Sequence, residues 1–289
     1  MNKSETVAAS AAVCSGLVAA GYLADRLHGG KPPIAATGGV GLGVAYLAGT
    51  YLQNVPLFGA VGRPRVAPGD ARFSLTFDDG PDPRHTTAIS TVLAKRGHRA
   101  TFFVLGRAVR EHPSLLRQLA ADGHEVACHG DDHRLLAFAT PQAIVAQILA
   151  WEEAVEEALG FPGSRLLRTP HGARSPWLVS VARRQGYTVC GWDGSVFDTA
   201  EPGAETIASR VTALLRPGAV VLLHDGDGSG RGGSRAQTVA ALGSVVDVAD
   251  ARGLRSVTLG LLLNRSSRVS AVGVARGTDA RERGQAPTG

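Results

Sequence analysis

The sequence contains little cysteine: three residues in 289, far apart along the chain, at Cys14, Cys128 and Cys190. An odd number of widely spaced cysteines provides neither a disulfide framework nor a cysteine-based zinc motif. We expect all three to be buried, inert thiols. Lysine is also rare, at three of the 30 basic residues. This indicates a GC-rich coding bias and carries no functional information.

The central part of the chain lacks a charge excess. Residues 66–265 contain 21 basic and 21 acidic residues, so the surplus of +5 lies in the two flanking segments. A neutral central block argues against a nucleic-acid partner, for which basic residues would have to cluster there. An apolar content of 44% is ordinary for a globular protein, and the length suits one large domain or two small ones.

Two stretches near the amino terminus have no charged residues. Residues 6–24 and 34–52 each run 19 residues without a charge. As helices they would reach about 28 Å, close to the thickness of a bilayer core. We predict a membrane-spanning pair of helices in an anchor segment, residues 1–65, with the rest of the chain outside the cell. The alternatives are a signal peptide followed by one anchor, and a segment buried in a soluble core.

Strand and helix patterns alternate through residues 66–265, which predicts one α/β domain with a parallel sheet or barrel. Strands are predicted at 72–77, 100–105, 124–128, 165–168, 187–192, 219–223 and 255–259. Helices are predicted at 86–96, 113–122, 141–159, 176–185, 204–215 and 236–252. Residues 266–289 have no apolar periodicity, so we expect a disordered tail.

Polar residues directly follow five of the predicted strands. Because the carboxyl ends of parallel strands meet at one rim of a barrel, these residues are expected to share a site. The segments are Asp78-Asp79, His129-Gly130-Asp131-Asp132-His133, Arg168-Thr169-Pro170-His171-Gly172, Asp193 with Asp198, and His224-Asp225.

Asp78 and Asp79 end the first strand and precede a Gly-Pro turn, so both carboxylates can face one site. Two close carboxylates repel each other, and a metal or an arginine would be needed to keep at least one of them ionised. The alternative is a pair of aspartates that only caps the end of the strand.

His129 and His133 are spaced i, i+4, which in a helical turn directs both imidazoles the same way. With a carboxylate they would form a His₂Asp site for Zn²⁺ that leaves positions open for water and substrate. Arg168 enters a Pro-Gly turn, where its guanidinium can hold a buried carboxylate. His224 ends an apolar strand, where it can act as a general acid. Each has an alternative without a catalytic role. The histidine pair could belong to a polar loop, Arg168 could be a surface arginine, and His224 could be a histidine of the core.

These segments, in this order, resemble the motifs of the polysaccharide deacetylase family, the NodB-like carbohydrate esterases. The resemblance covers about 70–265, and its first motif is complete in Thr76-Phe77-Asp78-Asp79-Gly80-Pro81-Asp82. It implies a distorted (β/α)₇ barrel. It also implies that Asp79, His129 and His133 bind a divalent metal, usually zinc.

The resemblance implies roles for the remaining residues. Asp78 would be the general base for the attacking water, positioned by Arg168. His224 would protonate the leaving amine, and Asp198 would orient it. A backbone N–H near His171 would meet the oxyanion.

Four positions depart from the family pattern. Gly130 stands where a hydroxyl residue is usual, and His171 stands where tyrosine is common. Thr199 replaces the tryptophan of the fourth motif, and Ser195 stands where an acid is often found. These changes affect substrate packing more than bond cleavage.

The resemblance implies a metal-dependent N-deacetylase acting on peptidoglycan or a chitin-like oligomer. With the predicted anchor, we expect a monomer at the cell membrane whose catalytic domain is extracellular. Two alternatives remain open. One is an O-deacetylase or other amide hydrolase with the same metal site, and the other is a catalytically silent glycan-binding protein of the envelope.

Overall fold

The computed structural model describes residues 34–52, 56–230 and 232–263. In this part of the chain, strands and helices alternate as predicted. The strands are β1 (Arg72–Asp78), β2 (Ala100–Val104), β3 (Glu125–Cys128), β4 (Leu166–Leu167), β5 (Thr188–Val189), β6 (Gly194–Ser195), β7 (Val220–His224) and β8 (Arg255–Ser256). The helices are α1 (Ile34–Tyr51), α2 (Thr86–Lys95), α3 (Gly106–Glu111), α4 (Pro113–Ala121), α5 (Pro141–Leu159), α6 (Leu178–Arg184), α7 (Ala204–Leu214), α8 (Ala236–Ala251) and α9 (Leu259–Leu263).

All strand pairs are parallel, and they form one sheet in the order β5-β4-β3-β2-β1-β7-β6, with β8 beside the start of β1. The strands at the two edges of the sheet, β5 and β6, are consecutive in the sequence, with only residues 190–193 between them. The sheet must therefore curl towards a barrel. No ladder joins those ends within the described ranges. The α/β class and the parallel sheet are confirmed, and the distorted barrel that the resemblance implies has the form of a parallel half-barrel.

β1 lies inside the sheet, between β2 and β7, and sets the position of the rim. Its residues Phe73, Leu75 and Phe77 are fully buried. Burial of each such side chain contributes about 1.5–3 kcal/mol. Strands of a parallel sheet are covered by helices on the outside, which explains the continuous apolar character of β1 and β7. The register places the end of β1 beside the ends of β2 and β7, where Asp78 pairs with Phe103 and His224.

Helix α5 has the bounds that the sequence predicts. The Thr140 side chain caps it by accepting the N–H of Ala143, Pro141 occupies its first turn, and Gly160 ends it in the left-handed conformation (φ 79°). The other predicted helices agree within two residues at each end.

Two predicted strands differ from the structure. The strand predicted at 187–192 is shorter, and a separate strand β6 follows it, because the Asp193 carboxylate accepts the N–H of Val220 between them. The strand predicted at 255–259 ends at Ser256 and gives way to α9. The first N–H groups of α9 are accepted by Thr101 and Glu125, side chains from β2 and β3 that no local pattern reveals.

Of the two uncharged amino-terminal stretches, residues 6–24 lie outside the described residues, as does the predicted tail 266–289. The second stretch forms α1, whose end packs on the domain. The Tyr46 hydroxyl donates to the carbonyl of Ala137 at 2.8 Å, and its ring stacks on Phe138. Within the described ranges, no helix combines the length and the hydropathy that crossing a membrane requires.

Candidate active site

The rim of the sheet holds a cavity of about 600 Å³ in which the predicted segments meet. Its lining includes Asp78, Asp79, His129, His133, His171 and His224. Arg168 and Asp198 lie buried behind this lining, each in contact with a lining residue. Asp193 does not line the cavity, and its carboxylate instead pairs with Arg63 and Arg216 on the surface.

Asp79, His129 and His133 converge on one point. The Asp79 Oδ1 atom lies 3.2 Å from His129 Nε2 and 3.0 Å from His133 Nε2. That oxygen is buried and has no hydrogen-bond partner. Two imidazole nitrogens and a carboxylate oxygen are a donor set that zinc prefers. The three side chains therefore fit a divalent metal.

The His129 ring is held in the tautomer that such a site needs. Its Nδ1 lies 2.9 Å from the backbone carbonyl of Arg168. Since a carbonyl only accepts, Nδ1 carries the proton and the lone pair of Nε2 faces Asp79. Two acceptors, Nε2 and the Asp79 oxygen, then lie 3.2 Å apart, and a cation between them would resolve their repulsion. Burial raises the pKa of Asp79, but the neighbouring His133 outweighs burial and holds that pKa well below its usual range.

The segment from His129 to His133 is a loop, so the two imidazoles converge without the helical turn that their i, i+4 spacing suggests. Gly130 and His133 both adopt left-handed conformations, with φ of 79° and 62°. The loop is held by Gln147 of α5, whose Oε1 accepts the N–H groups of Asp131 and Asp132 at 2.9 and 3.3 Å. The positive φ explains why glycine stands at position 130. Sequence reasoning missed Gln147, although a buried amide on the inward face of α5 was a signal.

Arg168 forms a buried ion pair with Asp78. The guanidinium is fully buried, and its Nη1 donates to Asp78 Oδ1 at 2.8 Å and to the Thr76 hydroxyl oxygen at 2.7 Å. The cation also lies over the rings of Phe103 and Trp192, at 4.1 and 5.5 Å from their centroids. This arrangement leaves the other oxygen of Asp78 facing the cavity. Thr76 was not predicted as part of the site.

His224 is oriented by Asp198. Its Nδ1 lies 2.8 Å from Asp198 Oδ1, and Asp198 Oδ2 accepts the backbone N–H of His224 and the Thr238 hydroxyl. Burial lowers the pKa of His224, but the Asp198 carboxylate outweighs it and raises that pKa to about 9. At neutral pH His224 is therefore a protonated imidazolium that faces the cavity through Nε2.

His171 is not one of the three converging side chains, but its ring packs against that of His133.

 The ring centroids of His171 and His133 lie 4.4 Å apart. Burial, followed by the charge of His133, lowers the pKa of His171 to about 4, so the ring is neutral at physiological pH. Its backbone is left-handed (φ 60°) within a short 3₁₀ turn, Pro170–Gly172.

Two aromatic side chains of the cavity were not predicted as site residues. Trp192 and Phe197 line it, and Phe197 is half-exposed with a left-handed backbone (φ 54°). A bulky residue rarely adopts this conformation, and such outliers cluster at ligand-binding sites. The signal in the sequence was the altered fourth motif, in which an aromatic residue precedes Asp198 and threonine follows it.

Asp225 follows His224 and is fully buried beneath the turn after β1. Its carboxylate accepts hydrogen bonds from the N–H of Gly80 and the hydroxyl of Thr86. Burial raises the pKa of Asp225 to about 7, outweighing the Thr86 hydrogen bond. The sequence placed Asp225 at the rim but gave it no role.

Comparisons with known proteins agree with this geometry. The family model for polysaccharide deacetylase matches residues 65–190. A chitooligosaccharide deacetylase from Bradyrhizobium sp. (strain ANU 289) is 35% identical over 207 residues, which cover 70% of this chain and 94% of that protein. A peptidoglycan-N-acetylglucosamine deacetylase from Bacillus cereus is 33% identical over 192 residues, covering 66% of this chain and 87% of that protein.

The fold is also similar to that of a solved structure. The peptidoglycan deacetylase PdaC from Bacillus subtilis superposes with a TM-score of 0.61 and 29% identity, covering 68% of this chain and 92% of that one. The chain belongs to the polysaccharide deacetylase family.

Proposed function

We propose that this protein is a metal-dependent hydrolase that removes N-acetyl groups from the amino sugars of a glycan. One observation carries the proposal. The Asp79, His129 and His133 cluster shares a cavity with a carboxylate held by Arg168 and an imidazolium held by Asp198. Amide hydrolysis needs all three parts: an electrophilic centre, a base and an acid.

Asp79, His129 and His133 would hold a divalent metal, which supplies Lewis acidity that polarises the acetamide carbonyl and lowers the pKa of water. We propose zinc on the chemistry of the donor set. The hydrogen bond from His129 Nδ1 to the Arg168 carbonyl fixes the orientation of the His129 ring, so this ligand is preorganised for metal binding.

Asp78 acts as the general base. Arg168 occupies its Oδ1, so the free oxygen, which lies 3.9 Å from His129 Nε2, accepts a proton from the attacking water. The water oxygen bonds to the acetamide carbon, and the carbonyl oxygen gains negative charge. Backbone N–H groups near His171 are suited to stabilise that charge.

His224 acts as the general acid. Its protonated ring donates from Nε2 to the amide nitrogen as the carbon–nitrogen bond breaks, and the products are acetate and a free amino sugar. Asp198 serves this step because it keeps the ring charged and fixes its orientation. Asp78 takes one proton and His224 gives one, so the net charge of the protein does not change, and transfer of the proton from Asp78 to His224 through solvent restores both groups for the next cycle.

The substrate proposed is peptidoglycan or a chitin-like oligomer. Support comes from the relatives, which are named for chitooligosaccharide and peptidoglycan N-acetylglucosamine deacetylation. The cavity also has aromatic walls, Trp192 and Phe197, against which the apolar face of a sugar ring can stack.

We further propose that the protein works at the cell envelope as a membrane-associated monomer, with its active site outside. The uncharged stretch 6–24, which lies outside the described residues, supports this placement, whereas 34–52 forms α1 against the domain and does not. Cell fractionation with protease protection of intact cells would test it. Recovery of the full chain in buffer without detergent would contradict it.

Acetate release by the full chain with added zinc tests the activity. We expect release from N-acetylglucosamine polymers or oligomers, and none from Asp78→Asn, which keeps the three metal ligands. An O-acetylated xylan assayed in parallel distinguishes amide from ester cleavage. Glycan binding without acetate release by the zinc-loaded protein would overturn the proposal.

A further inference from the structure

A buried carboxylate lies beneath the turn that carries Asp79. Asp225 follows His224, and because successive residues of a strand point to opposite sides, its side chain faces away from the cavity. Its own N–H donates to the carbonyl of Asp78 at 3.1 Å, which ties the end of β7 to the end of β1. The side chain is completely buried and is not part of the cavity lining.

Both oxygens of Asp225 are used to hold this turn. The N–H of Gly80 donates to Oδ1 at 3.1 Å, and the Thr86 hydroxyl donates to Oδ2 at 2.5 Å. The Thr86 oxygen in turn accepts the N–H of Asp82 at 2.7 Å. A Cβ on Gly80 would lie 2.0 Å from Asp225 Oδ2, so the contact is possible only with glycine there.

The conformation that the turn must keep is unfavourable by itself. Asp79 has a φ of 80°, in the left-handed region that residues with a side chain rarely adopt. This conformation directs Oδ1 to both histidines. The hydrogen bonds on Gly80 and Asp82 hold the residues that follow Asp79, so they oppose relaxation of its backbone.

We propose that Asp225 and Thr86 form a positioning pair that fixes Asp79 for metal binding. The inference rests on the proposed function, because it assigns Asp79 to the metal. Neither residue is a catalytic residue, since both act through the backbone of the turn. Their loss weakens metal binding more than it weakens the fold.

The chain offers a matched control on the same helix. Ser90 is buried one turn further along α2, and its hydroxyl bonds the Asp122 carboxylate at 2.5 Å, as Thr86 bonds Asp225. Thr86→Val and Ser90→Ala therefore each remove one buried hydroxyl–carboxylate bond. Only the first lies next to the turn of Asp79.

Two further variants make the comparison sharper. Thr86→Ser keeps the hydroxyl and should restore the contact. Asp225→Asn keeps an oxygen for the Gly80 N–H but presents an amide to Thr86, so the Thr86 hydroxyl loses its acceptor.

The test is the zinc dissociation constant of the full chain, measured without substrate by competition with a chromophoric chelator. We expect Thr86→Val and Asp225→Asn to weaken binding by about 10-fold or more, as for other outer partners of metal ligands. Thr86→Ser should stay within about twofold of the parent, and Ser90→Ala should lower the unfolding temperature without changing zinc affinity.

Parent-like zinc binding by Thr86→Val, or an equal loss in Ser90→Ala, would overturn the proposal. If Asp225→Asn does not fold, the two Thr86 variants decide alone. Acetate release is measured separately. Zinc binding that depends on Thr86 in a protein that releases no acetate would overturn the proposed function and leave the positioning pair intact.

Discussion

Asp78 and His224 are neighbours in the register of β1 and β7, directly opposite each other at the ends of two adjacent parallel strands. Adjacent strands lie about 4.8 Å apart, so backbone hydrogen bonds set the spacing of these two residues. The proposed base and acid therefore stand at the ends of two strands joined by backbone hydrogen bonds. The proposed metal ligands follow strand ends, and Asp225 and Gln147 hold their two segments separately.

Loss of Arg168 should disable the base. Arg168→Met leaves the buried Asp78 carboxylate without its cation, and we expect kcat to fall about 100-fold or more, within the range of general-base contributions. Steady-state acetate release measures this. Arg174→Met is a matched control, because Arg174 is equally buried but bonds the carbonyls of Leu52 and Gly59. Equal loss of kcat in both variants would show that Arg168 acts only through stability.

The pH profile should report the state of His224. A general acid must be protonated, so activity should persist as pH rises and fall as pH passes through the His224 pKa of about 9. Asp198→Asn removes the charge that raises this pKa, so the alkaline limb should move by roughly two units to lower pH. The measurement is kcat/KM against pH at constant zinc. An alkaline limb that stays in place would remove Asp198 from this role.

Metal should stabilise the folded protein through the three ligands. Zinc at 100 times its dissociation constant adds about 2.7 kcal/mol. For a chain of this size, that corresponds to roughly 5–10 °C in Tm. A chelator should abolish both the shift and acetate release. His133→Ala should show no shift at the same zinc concentration, whereas an unchanged shift in that variant would place the metal elsewhere.

Phe197 should contribute to substrate binding. An aromatic contact is worth about 0.5–1.5 kcal/mol, so Phe197→Ala should raise KM for a chitin-like oligomer about 2- to 10-fold with kcat nearly unchanged. Phe197→Trp should retain the parent KM. Phe161→Ala, which removes an equally exposed phenylalanine after α5, is the control. A fall in kcat without a change in KM would contradict the stacking role.

Local signals in the sequence explain which features were predictable. Both ends of helix α5 were predicted correctly because the residues that define them, Thr140, Pro141 and Gly160, lie at those ends in the sequence. The polar segments at strand ends were predictable because parallel strands bring their carboxyl ends together.

Features that depend on distant partners were not predictable. The loop between His129 and His133 takes its shape from Gln147, and Asp225 gains its role only where β1 and β7 meet. The spacing i, i+4 suggested a helical turn, since nothing in the five residues reveals that an amide of α5 accepts their N–H groups. Hydrogen bonds between residues far apart in sequence carry no periodic pattern.

The contact of α1 with the domain sets where a stable catalytic fragment can begin. Arg174 donates its N–H to the carbonyl of Thr50 and its Nη2 to the carbonyl of Leu52, while Tyr46 covers Phe138. A fragment cut at residue 66, where the predicted catalytic domain starts, would lack these partners and leave buried polar groups unpaired. We expect such a fragment to unfold at a lower temperature than one cut before residue 34. The boundary for expression therefore lies upstream of the boundary drawn from catalytic motifs.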